Sequence, residues 1–120
     1  MLSLHELLLQ TIELKKQLAL LQEYYENNQA PESRKDKQFF AYVRKQTDPI
    51  YELLARWEDL ALATVKNRQV KVHPKQIVST RENMELILMH SYYIDVKRRR
   101  YMQLHQACLY VFDLLADQLE

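Results

Sequence analysis

Glycine is absent from the 120-residue chain, which removes the usual residue for left-handed turns, β-bulges and close backbone approach to phosphate. Dinucleotide-binding and P-loop signatures need glycines at fixed spacing, so both are excluded and no cofactor is expected. Cysteine occurs once, at Cys108; an internal disulfide is ruled out and a reducing cytoplasm is the expected compartment. No stretch approaches 18 consecutive apolar residues, and no basic segment leads into an apolar core with a cleavage site, so neither a membrane span nor a signal peptide is expected. Charge of one sign is also lacking. The chain carries a net +1, with 8 basic and 10 acidic side chains in residues 1–60 against 9 and 6 in residues 61–120, too mild an asymmetry to point to nucleic acid or membrane by itself.

What remains is rich in Leu, Glu, Gln, Lys, Arg and Ala with only three prolines, a composition that predicts an all-α protein. The length fits a single domain over residues 1–120, which buries roughly two-thirds of its unfolded surface and needs no staple. The run from Phe39 to Lys66 holds the single tryptophan. Within it Ile50, Leu53, Leu54, Trp57, Leu60, Ala61 and Val65 recur at steps of three and four and form one helical stripe. Glu52, Arg56, Glu58 and Asp59 are expected on the wet side, and a buried indole is expected to find a partner for its N–H. Asp48 reads as a helix cap with Pro49 at the first helical position, because proline lacks a backbone donor and disfavours helical geometry in the residue before it. The second helix is therefore predicted to be kinked or broken near Pro49, with Phe39, Phe40 and Val43 in a piece upstream.

Ser3 and Glu6 form a capping box before an apolar series at Leu4, Leu7, Thr11, Leu14, Leu18, Leu21 and Tyr25, and Leu8, Ile12 and Ala19 widen that stripe. The series stops at Asn27-Asn28, and a polar connection with Pro31 runs to Asp36. His73-Pro74 opens a third helix with Ile77, Arg81, Met84, Leu88 and Ser91 inward, flanked by Ile87 and Tyr92. A fourth, starting near Asp95, places Tyr101, His105, Cys108, Phe112, Leu115 and Leu119 on one stripe beside Leu104 and Val111; a continuous third helix through Tyr101 is the alternative. Short connections between amphipathic helices favour antiparallel neighbours, hence an up-and-down four-helix bundle.

Phe39-Phe40, Ala55-Arg56-Trp57, Val65-Lys66, Val72-His73-Pro74-Lys75-Gln76-Ile77, Ser91-Tyr92-Tyr93, the basic group before Tyr101, and Leu109-Tyr110 together resemble the YppE-like family of small helical proteins from Gram-positive bacteria. The likeness spans roughly residues 38–112. It implies a four-helix up-and-down bundle and a bacterial cytoplasmic protein, and it implies no activity and no catalytic residues.

The chemistry readable from the residues is sparse. Di-metal bundle sites need Glu or Asp three residues before an inward His, but His5, His73, His90 and His105 follow Leu2, Val70, Ile87 and Met102 at that distance. His105 shares a stripe with Cys108, which offers two metal ligands or an imidazole-activated thiol; the same two residues also read as ordinary core. Ser79, Thr80 and Ser91 carry no flanking nucleophile signature. No catalytic residue is assigned.

The feature that stands out is Lys97-Arg98-Arg99-Arg100, in the first turn of the fourth helix, where the helix dipole opposes cations. In an up-and-down bundle this turn shares an end with Arg34, Lys35 and Lys37, and with Tyr93 and Tyr101 it makes a candidate binding surface. Neutralisation by Glu23, Glu26, Glu32 and Asp36 is the competing account. A second basic patch of Lys66, Arg68, Lys71, His73 and Lys75 is expected at the other end beside Asp113, Asp117 and Glu120. The expectation is a non-catalytic binding or adaptor module with a protein partner. Nucleic acid or a phosphorylated ligand at the basic end is the first alternative, and a small-molecule or metal site near His105 and Cys108 the second. No membrane partner is expected, and no residue announces an oligomeric state.

Overall fold

Asp36, not Asp48, starts the second helix. Its carboxylate accepts from the backbone N–H groups of Gln38 and Phe39 at 2.9 and 3.1 Å, meeting two donors that the first turn leaves free. The computed structural model describes the backbone of residues 2–120 and the side chains of residues 4–120, and the order is α1 (Leu2–Asn27), α2 (Lys37–Lys66), α3 (Pro74–Tyr93) and α4 (Arg98–Leu119). The Ser3 half of the expected capping box lies outside the described side chains.

Helix α2 runs unbroken for 30 residues with Pro49 inside it, so the predicted break does not occur and Phe39, Phe40 and Val43 belong to one continuous helix. An interior proline costs a helix about 3 kcal/mol, through a lost hydrogen bond and ring crowding. Burial on both sides of it offsets this: Val43 and Thr47 upstream and Ile50, Leu54 and Trp57 downstream are all buried, while Pro49 itself is exposed.

Around the bundle α1 packs on α2 and α4, and α3 packs on the same two helices. The backbones of α1 and α3 also meet across the diagonal, whereas those of α2 and α4 do not. The section is a flattened rhombus and the whole measures 48 × 27 × 20 Å. Trp57 lies at its centre, fully buried, edge-on to Phe112 at 5.3 Å. Its indole N–H donates to the Thr11 hydroxyl at 3.0 Å, and that hydroxyl donates to the Leu7 carbonyl at 2.7 Å. The expected indole partner is thus on α1, inside the stripe of Leu7, Leu14, Leu18, Leu21 and Tyr25, all buried.

The stripe on α1 is narrower than expected, since Ile12 and Ala19 are exposed. Glu58, expected on the wet side of α2, is half-buried and bound to Arg81 of α3 at 2.7 Å. The two half-buried charges pair because neither can reach bulk water freely.

Two turns lie where glycine is usual. After α2, Arg68 adopts φ 60°, with Arg68 N–H donating to the Val65 carbonyl and Gln69 N–H to the Thr64 carbonyl, a Schellman closure without its glycine. After α3, Ile94 takes φ 50° and ψ 47°, so α3 ends at Tyr93 and is not continuous through Tyr101. The start of α3 is as expected: His73 caps it, its Nδ1 accepting from Lys75 N–H and its own N–H donating to the Gln76 side chain. Among the described residues, no helix is long and apolar enough to cross a membrane.

Candidate functional site

The C-termini of α1 and α3 and the N-termini of α2 and α4 meet at one end of the bundle. Arg34, in the α1–α2 connection, reaches Asp95, in the α3–α4 turn, at 2.6 Å, which confirms that the two basic groups predicted to share an end do share it. Asp95 also holds His90 Nδ1 at 2.7 Å. One carboxylate therefore ties a histidine of the last turn of α3 to an arginine that lies 61 residues before that carboxylate in sequence.

The cations of this end divide into two sets. Arg34 is engaged by Asp95, and Arg98 by Glu26 at 2.8 Å. Hydrogen bonds from Gln22 and then Arg98 hold the Glu26 carboxyl below its ordinary range, so it stays charged. Lys35, Lys37, Lys97, Arg99 and Arg100 are exposed and form no ion pair among the described residues. Of the acids expected to neutralise this end, Glu26 alone makes an ion pair among the described residues, with Arg98, and Asp36 is occupied as the cap of α2. Lys97 caps α4 without a side-chain hydrogen bond, and Arg98, Arg99 and Arg100 fill its first turn, where the exposed N–H groups already carry partial positive charge.

The aromatic part of the site differs from expectation. Tyr101 is fully buried, stacked on Tyr25 with centroids 3.9 Å apart, its hydroxyl 2.6 Å from the Ser91 hydroxyl. Burial pushes its phenol up to about 12, against the lowering effect of Ser91. Tyr101 is a core residue and leaves the surface set, because the inward stripe that also carries Leu104, Cys108 and Phe112 fixes its direction. The hydroxyl of Tyr25 donates to the Val96 carbonyl at 2.8 Å, pinning the turn that presents the cations. Tyr93 is half-buried and meets Phe39 edge-on at 5.4 Å. It lines a shallow cleft of about 310 Å³ with Arg34, Phe40, Met89 and Asp95. Phe40 and Tyr42 remain about half exposed at this end. Helical spacing alone does not tell Phe40 from Phe39, since either continues the stripe of Val43 and Thr47 backward.

His105 and Cys108 do not converge on a site. The Cys108 thiol lies 3.8 Å from the Thr80 carbonyl, and burial pushes it up to about 12, so a thiolate is disfavoured. Both ring nitrogens of His105 are buried without a hydrogen-bond partner. Desolvation holds its pKa below the ordinary value, with Glu26 pulling the other way. Among the described residues no three His, Cys, Asp or Glu side chains come together as metal ligands. At the other end, Lys71 is tied by its backbone to the Gln118 side chain in both directions. Asp113, expected beside the second basic patch, pairs instead with Lys15 of α1.

Comparison with known proteins agrees with this architecture. The chain is similar to a crystal structure of a protein of unknown function from Listeria innocua, with a TM-score of 0.80 and 18% identity over 98% of this chain and 94% of that one. It is also similar to the solution structure of yppE from Bacillus subtilis, with a TM-score of 0.78 and 22% identity over 95% and 92% of the two chains. In sequence it is 28% identical over 82 residues to the uncharacterized protein YppE of Bacillus subtilis, 68% of this chain and 67% of that protein. A family model matches residues 11–119, and the chain belongs to that family, DUF1798, a bacterial domain of unknown function.

Proposed function

We propose that the protein is a non-catalytic binding module and that the end formed by the α1–α2 connection and the first turn of α4 takes an acidic surface of a partner protein. The observation that carries this reading is the set of exposed cations at Lys97, Arg99 and Arg100, without an ion pair among the described residues and placed where the helix dipole works against them. Folding would be served as well or better by acidic or neutral residues there, so the cations are explained by something outside the chain. Arg34 and Arg98 are held by Asp95 and Glu26, and the half-exposed Phe40, which shares a cleft with Arg34 and Asp95, supplies the apolar contact that charge alone lacks. Tyr101 being buried removes one of the two tyrosines on which bases would stack, so a protein surface is favoured over single-stranded nucleic acid.

The test is capture of binding proteins from a bacterial lysate with the wild-type chain and with Lys97→Glu/Arg99→Glu/Arg100→Glu. Proteins retained by the wild type at low salt, released by added salt and absent from the variant support the reading. Identical protein lists from the two reject it. Salt-sensitive retention of RNA or DNA in place of protein transfers the same surface to a nucleic-acid partner.

A further inference from the structure

Helix α1 is apolar on two opposite faces. Its inner face is the core stripe through Leu7, Leu14, Leu18 and Leu21, while Leu9, Ile12 and Leu20 point outward and are 53%, 47% and 48% exposed. From Arg44 onward the outward positions of α2 are instead charged, with Arg44, Lys45, Asp48, Glu52, Arg56 and Asp59 all exposed, and its exposed large apolar side chains are confined to Phe40 and Tyr42 near its start. Solvent demands polar residues of both helices equally, so the outer side of α1 is built for different company. Its position suits a large contact. Because α1 and α3 occupy the short diagonal of the bundle, the outer side of α1 lies in the middle of a broad face of 48 × 27 Å.

We propose that the protein pairs with a second copy of itself through this face, the two α1 helices antiparallel. The outward residues His5, Leu9, Ile12, Lys16, Ala19 and Glu23, all exposed, follow one another at alternating steps of four and three, the spacing of a two-helix seam. When the helix is set against its own reverse, Leu9 meets Ala19 of the second copy and Ile12 meets the aliphatic stem of Lys16. Leu20 closes the edge of the seam against Leu9 of the second copy. The charges then match as well. The Lys16 ammonium falls next to Glu13 of the second copy and His5 next to Glu23, each twice by symmetry. Lys16 has no ion-pair partner within its own chain among the described residues. A parallel arrangement would instead set Lys16 against Lys16 and Glu23 against Glu23. Half of the 48 × 27 Å face corresponds to roughly 650 Å² per copy, which reaches the lower end of the area that specific complexes bury. Antiparallel pairing sends the two basic ends to opposite ends of the dimer and leaves both free.

Sedimentation equilibrium of the full chain at about 100 μM tests this. The wild type is expected at twice its 14.5 kDa. Leu9→Glu/Leu20→Glu, whose sites lie outside the core, should retain wild-type helicity by circular dichroism and weaken association about 100-fold or more. Lys16→Glu should weaken it about tenfold by reversing two symmetry-related ion pairs, and Lys16→Glu/Glu13→Lys should restore it. A monomeric wild type overturns the proposal. A dimer indifferent to Leu9→Glu/Leu20→Glu overturns it too, and association unchanged by Lys16→Glu overturns the antiparallel arrangement.

Discussion

The two ends of the bundle are closed by different means. At the end where α2 passes to α3, the backbone polar groups are mostly used, while the exposed side chains of Lys66, Arg68, Lys71 and Lys75 form no ion pair among the described residues. The Schellman turn at Arg68 closes α2, His73 and Gln76 cap α3, and Gln118 clasps the backbone of Lys71. At the other end the interior is dense and the exterior unfinished. Tyr25, Tyr101 and Ser91 form a stacked and hydrogen-bonded plug beneath the turn, and above it Lys97, Arg99 and Arg100 are exposed, with no ion pair among the described residues. A cation at the C-terminus of a helix, like Lys66 on α2, stabilises the fold that carries it, and a cation at an N-terminus does not. Basic residues can therefore mean helix capping at one end and recognition at the other.

The comparison can be broken most forcefully at the plug. Tyr101→Ala should cost about 3–5 kcal/mol of unfolding free energy, measured by urea titration, because it empties a fully buried aromatic site. Gln118→Ala, which cuts the exposed clasp at the other end, should cost at most about 1 kcal/mol. A smaller effect appears as a slope. His105 lies below its ordinary value of 6.5 because burial disfavours its charged form, with Glu26 opposing. The unfolded chain then binds a proton that the folded chain refuses, so stability is intact above the unfolded value and falls as pH drops below it. Between about pH 7 and pH 5, wild type should lose more stability than His105→Leu. One further effect is of opposite sign. Arg68→Gly removes a side chain from a left-handed position and should raise stability by about 1 kcal/mol, read as a higher urea midpoint.

Much of the fold was legible because it rests on periodicity. The stripe from Leu7 to Tyr25 is buried as read, His73-Pro74 starts α3 as read, and the need of the Trp57 indole for a partner is met by Thr11. Asp48-Pro49 misled because its local start signal is strong. Asp36 carries the same capping chemistry, and the burial of Val43 and Thr47 rewards a helix that begins there and runs on through the proline. Of the candidate site, the sharing of one end by Arg34 and the Arg98–Arg100 turn followed from topology. Tyr101 could be read as stripe or as surface, and its contacts with Tyr25 and Ser91 decide for the stripe. The roles of Asp95 and Glu26 depend on partners 61 and 72 residues away, which no local pattern encodes.

The central claim is that the cations opening α4 are not needed by the fold. Its most direct test is the urea midpoint of Lys97→Glu/Arg99→Glu/Arg100→Glu at low ionic strength. Each acidic residue there should gain some tenths of a kcal/mol from the helix dipole, so the expected midpoint equals or exceeds that of the wild type. A midpoint lowered by an amount comparable to that of Tyr101→Ala would make these residues structural and contradict the account.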